Sequence, residues 1–273
     1  MNVQGTAPAE QDASSANVAF LTVPGVRPVT NAIATALTPD DRFLFVLLQK
    51  SGKLAVFNLH KTVTTGQNQP GVDVGTVAIG GQPTALAVSP DGQWLYVTSA
   101  AAAKATASLP SEGMLTVLSV PTLETHPKAA VVARVRAGCS PAGVAVSADG
   151  GTVWVTAQQS NAVLGFAAAR LRAGSGHALT AEVAVGQTPT GAVLIDGGAK
   201  LIVADSDLAG VPGAANLAVV DTKAALARQN ALVGYIASGR TPRSFALQPY
   251  SDNLFVADSG QPQLQVIDVG TVP

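Results

Sequence analysis

The residues of this 273-residue chain best suited to chemistry are two aspartates and an arginine. Asp205 and Asp258 each follow an alanine and precede a serine, and Arg243 lies between them in the phrase GRTPRS. Two carboxylates converging on a guanidinium can bind a small polar or anionic group. With one of them acting as a general base, they can activate water for hydrolysis. The same residues can instead cap loops or neutralise one another as a structural ion pair. Gln49, Gln158 and Arg240 occupy neighbouring or matching places in the repeats described below and complete the set of candidate binding residues.

Other chemistries find little support. His60, His126 and His177 fall in three separate connecting segments, where a solvated loop histidine is expected rather than a ligand or base. The single cysteine, Cys139, excludes an intrachain disulfide and any cysteine-based zinc site. Ser140 has no glycine-flanked elbow and no histidine placed to activate it. Two acidic residues are too few for Ca²⁺, which takes about six to eight oxygen ligands. No metal and no other cofactor is expected.

A net charge of −1 and a pI near 6.3 give no clustered basic face, so neither nucleic acid nor an anionic membrane is an expected partner. No apolar run approaches the roughly 18 residues of a membrane span. Residues 1–15 (MNVQGTAPAEQDASS) read as a flexible polar leader, without the basic start and apolar core of a signal peptide. An extracytoplasmic protein, its export signal removed ahead of Met1, is the expected setting, and a monomer the expected state.

The elements that must position these residues are visible as a repeat. The phrase QPTALAVSPDGQWLYVT at 82–98 recurs as NAIATALTPDDRFLFVL at 31–47 and SPAGVAVSADGGTVWVT at 140–156. Two further copies are TPTGAVLIDGGAKLIVA at 188–204 and TPRSFALQPYSDNLFVA at 241–257. Aligning Val46, Val97, Val155, Val203 and Val256 puts Phe45, Tyr96, Trp154, Ile202 and Phe255 in one column and Leu44, Leu95, Val153, Leu201 and Leu254 in another. Bulky residues in both columns predict a strand covered on both faces, as in stacked sheets. Upstream of it stands a strand of small residues, opened by Pro83, Pro141, Pro189 or Pro242, where a proline forfeits no ladder donor. The inner strands hold no Asp or Glu, which argues against glycoside hydrolysis by paired carboxylates aimed into a central cavity. The DG pairs at Asp91-Gly92 and Asp149-Gly150 read as hairpin turns.

A third strand follows in each unit and a fourth in the first four, and four strands per unit make one blade of a β-propeller. The last unit stops after its third strand, while an unassigned apolar segment, NVAFLTV at 17–23, precedes the first. The predicted fold is therefore all-β: one five-bladed β-propeller over residues 16–273, with four-stranded antiparallel blades and the N-terminal strand completing the last blade. In this strand order Asp205, Asp258, Arg243, Arg240, Gln49 and Gln158 share the face at one mouth of the central channel.

PTALAVSPDGQWLYVT and LQVIDVGT resemble the YVTN-type β-propeller repeat, whose second-strand motif stands here as Tyr96-Val97-Thr98-Ser99. The resemblance runs from Asn17 onward and implies the propeller fold. It leaves function open, because proteins with this repeat include surface-layer and periplasmic proteins, lactonase-like hydrolases and modules attached to redox enzymes. Two functions are expected in turn. The first is a non-enzymatic disc presenting loops to a protein or small ligand. The second is a lactonase- or esterase-like hydrolase using the mouth around Asp205, Asp258 and Arg243.

Overall fold

Each repeat becomes a meander in which consecutive strands pair antiparallel through short turns. The computed structural model describes residues 31–61, 72–100, 112–206, 215–248, 251–259 and 264–273. Blade 1 comprises β1 (Ala32–Leu37), β2 (Phe43–Leu48), β3 (Lys53–Asn58) and β4 (Asp73–Ala78). Blade 2 comprises β5 (Pro83–Val88), β6 (Trp94–Ser99), β7 (Glu112–Ser119) and β8 (Val131–Cys139). Blade 3 comprises β9 (Pro141–Val146), β10 (Thr152–Ala157), β11 (Ala162–Ala167) and β12 (Leu179–Ala184). Blade 4 comprises β13 (Pro189–Ile195), β14 (Lys200–Asp205), β15 (Asn216–Asp221) and β16 (Leu232–Ala237). Blade 5 is described through β17 (Pro242–Leu247), β18 (Asn253–Asp258) and β19 (Leu264–Asp268). The five sheets form a ring, with β1, β5, β9, β13 and β17 innermost and in contact in that order. The chain is thus a five-bladed β-propeller. The expected leader and the expected closing strand at 17–23 lie outside the described residues.

The small inner-strand residues keep their expected place because neighbouring inner strands approach closely near the axis. Gly143 shows how closely: a side chain there would meet the Thr190 carbonyl of the next blade at 2.5 Å. Hydroxyls bridge these strands. Thr84 donates to the Pro141 carbonyl at 2.8 Å, Thr156 to the Thr190 carbonyl at 2.9 Å and Thr190 to the Pro242 carbonyl at 3.0 Å.

The turn between first and second strands is built by side chains. In blade 3, Ser147 donates its hydroxyl to Asp149 at 2.5 Å and accepts the Thr152 N–H at 2.9 Å, while Asp149 accepts the Gly151 N–H at 2.8 Å. Thr38 with Asp40 and Ser89 with Asp91 repeat this in blades 1 and 2. The Ser-x-Asp triplet therefore closes the turn, in the manner of local side chain to backbone bonding. One-turn helices α1 (Val120–Leu123), α2 (Ala168–Arg172) and α3 (Thr222–Leu226) follow the third strands of blades 2, 3 and 4, where the sequence predicts only connections.

Apolar side chains from facing sheets fuse at four junctions. Phe45 and Leu47 of blade 1 pack with Leu95 and Val97 of blade 2, and Tyr96 and Val117 of blade 2 with Val153 and Val155 of blade 3. Trp154 meets Leu201 and Val203, and Ile202 meets Leu254 and Val256. Between blades 5 and 1, no such cluster joins the two sheets among the described residues. Ile33, Leu37 and Leu247, the exposed large hydrophobics of the described inner strands, belong to these two blades.

Candidate functional site

The expected mouth is built from a backbone bond repeated in all five blades. The residue after the second strand donates its N–H to the residue before the first: Gln49 to Asn31, Ala100 to Gln82, Gln158 to Ser140, Ser206 to Thr188 and Ser259 to Thr241, at 2.9–3.3 Å. These bonds put Gln49 and Gln158 at the places that Ser206 and Ser259, next to Asp205 and Asp258, hold in blades 4 and 5.

Asp205 ends β14 and is 0% exposed. Its Oδ2 accepts the Gly186 N–H at 2.9 Å, while Oδ1 has no hydrogen-bond partner. Burial disfavours the charged form and pushes its pKa up to about 7, against the pull of the Gly186 N–H. Position 186 requires glycine, because a Cβ there would stand 2.5 Å from the Asp205 Oδ2. Asp258 occupies the matching place at the end of β18 and is half-buried. Its Oδ1 accepts both the N–H and the hydroxyl of Thr241, at 2.9 and 3.0 Å. Each carboxylate thus caps the loop entering the first strand of its own blade. Ser99 and Ala157 fill the same place in blades 2 and 3, opposite Pro83 and Pro141.

Arg243 stands near the start of β17, is exposed, and forms no ion pair with either aspartate. The ion pairs among the described residues lie elsewhere: Arg42 with Asp40, Arg136 with Glu112 and Lys200 with Asp196. Arg240 is exposed, and Gln49 and Gln158 are half-buried. Gln49 and Lys50 line an open groove of about 680 Å³ with Gly80, Gly81 and Gln82, between blades 1 and 2. The six candidates therefore stand at or next to corresponding strand ends, and Asp205, Asp258 and Arg243 form no bonded cluster among the described residues.

No group of three or more His, Cys, Asp or Glu side chains among the described residues could hold a metal ion. Cys139 is a free, half-buried thiol whose backbone N–H donates to Ser160 Oγ at 3.1 Å. One polar cluster was not anticipated from sequence. Arg172 donates to the buried Tyr96 hydroxyl at 3.1 Å and to the Gly150 carbonyl at 3.2 Å, with its guanidinium 5.1 Å over the Trp94 ring. It ties blade 3 to blade 2. No motif marks it in advance, since Arg172 sits in a connection outside the repeated phrase.

No protein-family model matches the chain, and no curated protein matches it by sequence. Solved structures do match by shape. Kuenenia stuttgartiensis hydrazine synthase is 18% identical with a TM-score of 0.65, over 88% of this chain and 61% of that one. A functionally unknown protein from Desulfotomaculum acetoxidans is 14% identical with a TM-score of 0.67, over 89% of this chain and 67% of that one. Chaetomium thermophilum Sqt1 is 14% identical with a TM-score of 0.62, over 88% of this chain and 59% of that one. This chain therefore spans about three-fifths to two-thirds of their length, and the likeness concerns the fold alone.

Proposed function

We propose that this protein is a non-enzymatic binding module, a rigid disc that takes a small anionic or polar ligand at the mouth bearing Arg240 and Arg243. The observation that carries this reading is an imbalance of engagement. Asp205 and Asp258 bond to their own loops, whereas Arg243 is exposed and forms no ion pair among the described residues. An unpaired, planar fork of donors at a channel mouth is suited to carboxylate or phosphate. The YVTN-type repeat, supported by Tyr96-Val97-Thr98, is the membership we infer. A monomer outside the cytoplasm is the setting that goes with it. Calorimetric titration with succinate, citrate and phosphate tests the reading. Binding of at least one is expected, weakened tenfold or more by Arg243→Ala; equal affinity in the variant, or no binding by the natural chain, would overturn it.

One observation favours the hydrolase as a second reading. An aspartate with a pKa near 7 is poised for proton transfer at neutral pH. Turnover of a lactone panel, lost in both Asp205→Asn and Asp258→Asn, would establish that activity in place of simple binding.

A further inference from the structure

The junction without a shared core has a defined acceptor surface. Leu264 and Val266 on β19 are 60% and 55% exposed. Across from them on β18, Ala257 is exposed and Phe255 half-buried. The matching third-strand residues elsewhere, Leu54 and Val56, Leu115 and Val117, and Leu217 and Val219, are no more than 1% exposed. In those blades a fourth strand runs beside the third, whereas the outer edge of β19 has no partner among the described residues. An open strand edge next to a bare apolar face accepts one further strand.

The wiring of the ring indicates which strand. From β4, β8, β12 and β16 the chain passes a glycine and, three residues later, a proline that opens the next inner strand: Gly80 and Pro83, Gly138 and Pro141, Gly186 and Pro189, Gly239 and Pro242. The same spacing, Gly25 and Pro28, stands ahead of β1 just past the apolar run NVAFLTV at 17–23, here four residues upstream of Ala32, which holds the place of the other prolines. The blade before blade 1 in the ring is blade 5. About eight residues separate that run from β1, a reach of roughly 28 Å when extended.

We propose that residues 17–23 dock on β19 as the antiparallel fourth strand of blade 5, with Phe20 opposite Val266 and filling the junction between blades 5 and 1. The register is carried over from the other four blades. The residue five before the glycine pairs with the third strand as Gly75 with Val56, Ala133 with Val117, Ala181 with Gly165 and Gly234 with Val219. Val266 holds the same column, because it pairs with Phe255 as Val56 does with Phe45. Counting back from Gly25 puts Phe20 there and Thr22 opposite Leu264. Side chains in this third-strand column join the cluster shared with the following blade. At the other four junctions, which have their own cores, the paired fourth-strand position is only Gly or Ala. At the junction where the described residues form no shared core, a phenylalanine brings the apolar area that Leu264 and Val266 otherwise expose.

Cysteine pairing in the full-length chain, with Cys139→Ser as background, tests both occupant and register. Phe20→Cys with Val266→Cys is expected to form an intramolecular disulfide under oxidised glutathione in most molecules. The slipped pair Val18→Cys with Val266→Cys is expected to form it at least fivefold less. A disulfide linking two chains would assign the surface to a second copy. No disulfide, or equal yields from both pairs, would likewise overturn the proposal. The single variant Phe20→Ser is expected to speed amide exchange in β19 tenfold or more while blades 2 and 3 keep their rates; unchanged β19 exchange would contradict the docking.

Discussion

Asp205 is a buried acid held against its preference for water. It is buried, one oxygen lacks a partner, and its pKa is about 7, well above the usual 3.8. A folded-state pKa raised in this way means that the native fold binds the proton more tightly than the unfolded chain. Its stability contribution is therefore full below about pH 4 and is lost as pH rises through 7. Asp205→Asn should flatten that dependence and stabilise the protein at pH 8 by about 2 kcal/mol relative to the natural residue. Thermal unfolding at pH 5.5 and pH 8 checks it, and equal slopes for both proteins would refute the burial argument. Gly186→Ala should cost more than about 2 kcal/mol by driving a methyl group into the carboxylate. Adding Asp205→Ala should recover part of that loss, because the two positions share one contact. The repeat alignment showed in advance that Asp205 and Asp258 share a column. Loop capping was one of the alternatives the residue types offered, but the partners could not be named, because Gly186 and Thr241 lie in loops whose approach depends on three-dimensional register.

At the scale of elements, the Ser-x-Asp turn gives a direct comparison between blades. Ser147 both donates to Asp149 and accepts the Thr152 N–H, so Ser147→Ala should cost about 1 kcal/mol. Blade 4 has Ile195-Asp196-Gly197 instead, and there Asp196 makes a surface ion pair with Lys200 at 3.7 Å. Asp196→Ala should therefore cost less than about 0.5 kcal/mol. Urea unfolding of the two variants separates these outcomes, and a larger loss at Asp196 would contradict them. The strands were legible because apolar columns recur with β-strand spacing, as in Phe45, Tyr96, Trp154, Ile202 and Phe255. The one-turn helices were not. Segments as short as Val120–Leu123 and Thr222–Leu226 offer no helical periodicity and rest on local caps, such as the Asp221 side chain accepting the Ala224 N–H at 2.8 Å.

Across the whole molecule, cohesion comes from junctions between blades. The hydroxyl bridges at the axis are part of it. Thr156 donates to the Thr190 carbonyl of the next blade and accepts the Gly143 N–H at 2.7 Å, so Thr156→Val, which keeps the shape and orphans both groups, should cost about 2 kcal/mol. Denaturant titration reads this, and a neutral effect would show that the axis is held by packing alone. The number of sheets could be read from the five repeated phrases. The quality of each junction could not, since Val266 and Val219 hold the same column and differ in exposure, 55% against 1%. The chemistry of the mouth was also less legible, because Gln49, Gln158 and Arg243 stand at places the repeat leaves free. Closure of the ring itself is tested most directly by electron spin distance measurement in a Cys139→Ser background. One labelled pair, Arg42→Cys with Gln93→Cys, spans the packed junction between blades 1 and 2; the other, Arg42→Cys with Asp252→Cys, spans the junction between blades 1 and 5 at matching turn positions. A five-sheet ring requires two similar, single, short distances, and a long or broad distribution for the second pair alone would contradict it.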